Sequence, residues 1–213
     1  MKIYFIRHAP TEANLTGSMV PNYDKTEIIP PTMEDVDLWQ ERVGRHIHYN
    51  WAKVFYSPTV RAKQTADKFL CRGMNYMISS IGVTSEPLEE LAEFDCAGLG
   101  DKKFWKISKD EFQRLVPNLK PNTIGYPPGS MCYQASILDA KLRSSGYPNC
   151  ICVSHGMLIR YMFHYYTGRK DVHPYDIINS KDFTFSHLDM MVYDTESQRI
   201  KVHRYKEPVQ HEK

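Results

Sequence analysis

Four basic residues in three separated segments carry the chemistry legible in this sequence: Arg7 with His8, then Arg61, then His155. Two forked guanidinium groups can hold the non-bridging oxygens of a phosphate monoester through charge-assisted hydrogen bonds. A neutral imidazole is a competent nucleophile toward phosphorus. Phosphoryl transfer asks mostly for positioning and charge stabilisation, which cationic side chains supply. Since no aspartate pair arranged for Mg²⁺ stands out, those cations would stand in for a metal. A leaving alkoxide then needs a proton. Glu89, Glu90 and Glu93, clustered after Pro87, offer three candidates, although a solvated helix start is the plainer reading of such a cluster.

The elements that must deliver these groups follow from pattern. Ile3, Tyr4, Phe5 and Ile6 form an apolar run too short for a helix, so Arg7 and His8 emerge from a buried strand. Desolvating them there is costly unless an anion or a reaction needs them. A helix starts at Thr32 with Asp35 in a capping box, and Val36, Trp39, Val43 and Ile47 form its apolar stripe. His46 and His48, two apart, read as surface or helix-end residues. Val54 to Tyr56 is a second strand, and Ser57-Pro58 reads as N-cap and first helical residue of a helix carrying Arg61 in its first turn. A third strand is expected at Ile81 to Thr84 and helices at Asp110 to Val116 and Met131 to Leu142. Cys150 to Val153 is a fourth strand, after which Ser154-His155-Gly156 opens a helix through Tyr165. Phe183 to Tyr193 alternates as a strand, with Ile200 to Tyr205 as its partner.

Strands alternating with helices predict a three-layer α/β/α sandwich with a mainly parallel central sheet. In that architecture ligands bind beyond the carboxyl ends of the strands. Arg7, His8, Arg61 and His155 all fall there, and the helix N-termini after Ser57 and Ser154 would add N–H donors. Gly98 to Pro128, rich in charge, Pro and Gly, reads as a cap inserted into a single domain over residues 1–213.

With 27 Lys and Arg against 25 Asp and Glu, net charge argues against a nucleic acid polymer as partner. No apolar run is long enough for a membrane span, so a cytoplasmic protein without a membrane partner is expected. The five cysteines lack metal-ligand spacing and read as structural thiols.

Arg7-His8-Ala9-Pro10-Thr11-Glu12-Ala13-Asn14 resembles the opening signature of the histidine phosphatase superfamily, the phosphoglycerate mutase-like proteins. Ser57 to Ala66, with Arg61, is similar to that family's second motif. Leu91-Ala92-Glu93-Phe94-Asp95 resembles the proton-donor segment, and Val153-Ser154-His155-Gly156 the last motif. The resemblance implies that His8 is a nucleophile that becomes phosphohistidine. It implies phosphate binding by Arg7, Arg61 and His155, with Asn14 lining the pocket. Glu93 would be general acid, preferred to Glu90 because it completes Leu-x-Glu. No cofactor is implied. Ala9 stands where glycine is commonest, and Pro128-Gly129-Ser130 lacks the glutamate of a Gly-Glu-Ser stretch.

Such a fold supports a phosphatase, a phosphoglycerate-mutase-type transferase, or an inactive phosphate-binding protein. The Ser-His-Gly motif, the short chain and the lack of a clear second phosphate site favour the phosphatase branch, acting on a small phosphorylated substrate. Tyr23, Phe104, Trp105 and Tyr126, with Lys102 or Lys103, are candidates for the mouth, and an exposed strand edge permits a homodimer. His187, on the late strand, could approach the pocket, although a satisfied core or surface histidine is the plainer reading.

Overall fold

A computed structural model describes residues 1–15, 25–70, 85–93, 108–115, 131–169, 174–179 and 183–206. The expected strand at 81–84, most of the 98–128 cap, the mouth residues at 23, 102–105 and 126, and Cys71 and Cys96 lie outside these residues.

The chain begins with β1 (Lys2–Arg7), a short α1 (Glu12–Leu15) and α2 (Met33–Arg42). Next come β2 (Ala52–Tyr56), α3 (Val60–Thr65), β3 (Ser85–Pro87) and α4 (Lys109–Leu115). After them lie α5 (Met131–Ser144), β4 (Asn149–Ser154), α6 (Gly156–Tyr166), α7 (Pro174–Asn179), β5 (Met190–Asp194) and β6 (Arg199–His203). The strands form one sheet in the order β3-β2-β4-β1-β5-β6. The first four run parallel, and β5 and β6 are antiparallel additions at one edge. The expected mixed α/β sheet, mostly parallel and flanked by helices, is what forms.

Period-two alternation places the sheet between two cores. Ile3 and Phe5 of β1, with Cys150 and Cys152 of β4, face a cluster that includes Phe112, Leu138, Leu158 and Ile177 from α4, α5, α6 and α7. Tyr4, Ile6, Ile151 and Val153 point the other way, toward Val36 and Trp39 of α2 and Ala62 of α3. Cys150 and Cys152 are therefore small core residues, and burial raises both thiol pKa values.

The capping box forms as expected: Thr32 Oγ1 accepts from Asp35 N–H at 3.1 Å, and Asp35 Oδ2 accepts from Thr32 N–H at 3.1 Å. The stripe outlasts its helix, however. α2 stops at Arg42, and Val43 and Ile47 are buried on either side of a 3₁₀ turn, Gly44–His46.

Two expectations are corrected. Ser57 does not cap α3; Thr59 does, its Oγ1 accepting from Ala62 N–H at 3.4 Å. The strand expected from Phe183 begins only at Met190. Leu188, just upstream, has φ 66°, a left-handed conformation that no extended strand continues through.

Candidate active site

The carboxyl ends of β1, β2 and β4 are stitched together by main-chain bonds. His8 N–H donates to Ser154 C=O and Ser57 N–H to Val153 C=O, each at 2.9 Å. This registration brings His8, Ser57 and His155 to one edge, where the sequence placed them. Arg61, at the start of α3, is almost completely buried there. Thr65 ties α3 to the exit of β1: its Oγ1 accepts from Ala9 N–H at 2.9 Å and donates to Arg61 C=O at 2.7 Å.

His8 is held in one tautomer. Its Nδ1 lies 2.7 Å from the carbonyl of Ala9. A carbonyl can only accept, so Nδ1 carries the proton and Nε2 keeps its lone pair. The ring is 5 % exposed and sits 5.1 Å, centroid to centroid, from both His155 and His187. Burial pushes its pKa well below the ordinary value, and His155, His187, Arg61 and Arg7 reinforce the effect. His155 is lowered likewise, by burial first and then by Arg61 and Arg7. The imidazoles are thus neutral in a pocket whose charge comes from guanidinium groups.

Arg7 is fixed from the other side, its Nη1 donating to Phe185 C=O at 2.7 Å. Its Nε is buried without a hydrogen-bond partner among the described residues, a donor an anion could satisfy. Burial and the nearby Arg160 lower it to about 10, which leaves it charged at neutral pH. Gly156 makes its position available, because a Cβ there would lie 3.1 Å from both Arg7 Cζ and Nε.

Of the clustered glutamates, Glu93 faces the site. Its two carboxylate oxygens accept from Met157 and Leu158 N–H, each at 2.9 Å, at the N-terminus of α6, one turn from His155. Glu90 turns away to an ion pair with Lys141 at 2.7 Å. Asn14, expected to line the pocket, uses its side-chain oxygen to close a turn, accepting from Thr11 N–H at 3.0 Å and Thr11 Oγ1 at 2.9 Å. Only its amide nitrogen end is then available to a ligand.

His187 takes the less favoured of its two expected places, at the pocket. It is neither core nor free surface: its Nδ1 donates to His8 C=O at 2.9 Å, and its ring packs on His8. Burial and Arg7 push it down to about 3. The turn that carries it is strapped by Asp189, which accepts from Ser186 N–H at 2.9 Å, Tyr205 N–H at 3.0 Å and Arg204 at 2.6 Å. Trp39 Nε1–H closes the same turn by donating to Leu188 C=O at 3.0 Å. Among the described residues, no three of His, Cys, Asp or Glu are grouped to hold a metal ion.

A parallel sheet edge with three histidines, two arginines and a helix-capping glutamate matches a known class. The chain belongs to the histidine phosphatase superfamily (branch 1), whose family model matches residues 3–205. No curated protein sequence matches it. Solved structures share its fold at low identity. A phosphoserine phosphatase from Entamoeba histolytica, in complex with 3-phosphoglyceric acid, is 16% identical with a TM-score of 0.65, covering 94% of each chain. An alpha-ribazole phosphatase from Shigella flexneri is 16% identical with a TM-score of 0.61, covering 95% of this chain and 94% of its own. A phosphoglycerate mutase from Bacillus anthracis is 17% identical with a TM-score of 0.62, covering 95% of this chain and 91% of its own.

Proposed function

We propose that this protein is a metal-independent phosphatase that hydrolyses a small phosphate monoester through a phosphohistidine at His8. The observation that carries the reading is the tautomer of His8. With the Nδ1 proton held by Ala9 C=O, Nε2 presents a lone pair among Arg7, Arg61 and His155.

In the first step Nε2 attacks phosphorus as the ester P–O bond breaks, forming an N–P bond. Arg7 and Arg61 hold the equatorial oxygens, and burial strengthens their hold by excluding water. The leaving alkoxide takes a proton from a carboxyl group, the role assigned to Glu93. In the second step Glu93 takes a proton from water as its oxygen attacks phosphorus. The N–P bond breaks, and phosphate leaves with His8 neutral again. A proton on either Glu93 oxygen competes with the N–H bond which that oxygen accepts, so proton donation involves loosening the cap on α6.

The test is steady-state hydrolysis of an aryl phosphate in excess chelator by the native protein and by His8→Ala. Turnover that survives chelation and disappears in the variant supports the reading. Chelator-sensitive turnover, or full activity in the variant, overturns it.

A further inference from the structure

A second basic cluster lies on the sheet face that α2 covers, toward the opposite ends of the strands from His8. Strand register puts Tyr4, Val192 and Lys201 in one cross-strand row and Lys2, Asp194 and Arg199 in the next. His46 and His48, following α2, stand beside these rows. Floor and wall enclose a cavity of about 370 Å³. That volume falls within the range of small-ligand sites, roughly 300 to 1,000 Å³. His203 completes the wall, stacked on His46 with ring centroids 4.0 Å apart and planes at 24°.

The charges here are unbalanced. Lys2, Arg199 and Lys201 bring three basic side chains, and none forms a salt bridge among the described residues. The one carboxylate lining the cavity near them, Asp194, already accepts from Glu196 N–H at 3.0 Å and Ser197 N–H at 3.4 Å. Two cations are turned onto imidazoles instead. Lys2 Nζ lies 3.2 Å from His48 Nε2, and Arg45 Nε donates to His46 Nε2 at 3.4 Å. Both rings therefore accept at Nε2 and carry their proton on Nδ1. Burial pushes His203 down to about 4, with His46, Lys201 and Arg45 adding to the effect. An anion in the cavity reverses that repulsion, and the neutral rings have N–H groups to donate.

We propose that this cavity binds a small polyanion of the phosphate class, held by Lys2, Arg199 and Lys201 against the His46–His203 stack. Several converging cations favour a multiply charged oxyanion over a single carboxylate. A compact ligand fits better than a nucleic acid polymer, because the chain's net charge is only +2. The site is separate from the one at His8: Lys2 and Arg7 are five residues apart along β1, about 17 Å. It stands whether or not His8 becomes phosphorylated.

The test is a titration of the native protein with pyrophosphate at neutral pH and constant ionic strength, read at the imidazole C–H resonances of His46 and His203 by NMR. His46→Gln and His203→Gln assign those signals, and His8 and His155 report separately on the first site. Saturable shifts at both rings are expected. The double variant Arg199→Gln/Lys201→Gln should weaken them by about tenfold or more in affinity, with hydrolysis at His8 unchanged. Parallel arms with inorganic phosphate and a nucleoside monophosphate distinguish a free anion from a phosphorylated metabolite as the tighter ligand. No saturable shift at millimolar pyrophosphate, or the same shift in the double variant, overturns the proposal.

Discussion

Ser57 Oγ lies 2.8 Å from His155 Nε2, and this bond joins the residue after β2 to the residue after β4 across the floor of the site. It fixes the ring of His155 beside His8. Ser57→Ala removes the bond and leaves the imidazole free to turn. The expected result is a fall in kcat/KM of about tenfold, worth ~1.4 kcal/mol, a net hydrogen bond's contribution. Steady-state kinetics on an aryl phosphate check it, and a variant with unchanged kcat/KM would remove His155 orientation from the account.

Gly156 gives a second handle on positioning. A methyl group at this residue would press on the Arg7 guanidinium from 3.1 Å, so Gly156→Ala should displace Arg7 by a few tenths of an ångström. Its backbone is helical, so the fold should persist. Weaker phosphate inhibition together with lower kcat/KM is expected, and the circular dichroism spectrum should stay native. Unaltered inhibition by phosphate would show that Arg7 does not hold the anion.

The buried imidazoles tie stability to pH. Burial lowers His8 and His155 well below the ordinary histidine value, and His187 to about 3. The unfolded chain regains values near ~6.5, so below that pH it binds more protons than the folded chain. Their contribution is fully present above about 6.5 and is lost as pH falls toward about 3. Urea midpoints should therefore drop through this window. Added phosphate should reduce the drop, because an anion in the site favours protonated imidazoles. A midpoint flat across the window would contradict the burial of these rings.

Glu93 carries three burdens: capping α6, protonating the leaving group, and taking the proton of the attacking water. Glu93→Gln separates the first two by leaving group. Loss of a general acid should slow an alkyl phosphate by roughly 10²- to 10⁴-fold, while an aryl phosphate, whose leaving group needs little protonation, suffers far less. Because kcat/KM reports only the steps up to P–O cleavage, and not the water step both substrates share, an equal loss of kcat/KM on both would make Glu93 a positioning residue that acts through α6.

Local signals in the sequence carried much of this architecture. Thr32 and Asp35 form their reciprocal cap because both partners are three residues apart and need nothing from the rest of the chain. The apolar runs of β1 and β4 are equally readable, since each strand buries both faces. The errors arose where a distant partner overrode a local pattern. Ser57-Pro58 has the composition of a helix start, yet Ser57 is drawn to His155, 98 residues on, and Thr59 caps instead. The approach of His187 to the pocket was legible only as the lesser alternative for the same reason. Its turn is shaped by Asp189 with Arg204 and Tyr205, and by Trp39 from α2. The stripe of Val36, Trp39, Val43 and Ile47 marked burial correctly but not the helix end, because a 3₁₀ turn keeps Val43 and Ile47 on the core side.

The central claim is a covalent N–P bond at His8, and trapping it is the most direct measurement. Radiolabelled phosphate monoester would be mixed with enzyme, quenched in alkali within the first turnovers, and the digested peptides mapped by mass spectrometry. The account predicts an acid-labile, alkali-stable phosphoryl group on Nε2 of His8, absent from His8→Ala. Label on another residue, or sustained turnover with no label on the protein at any time, would contradict it.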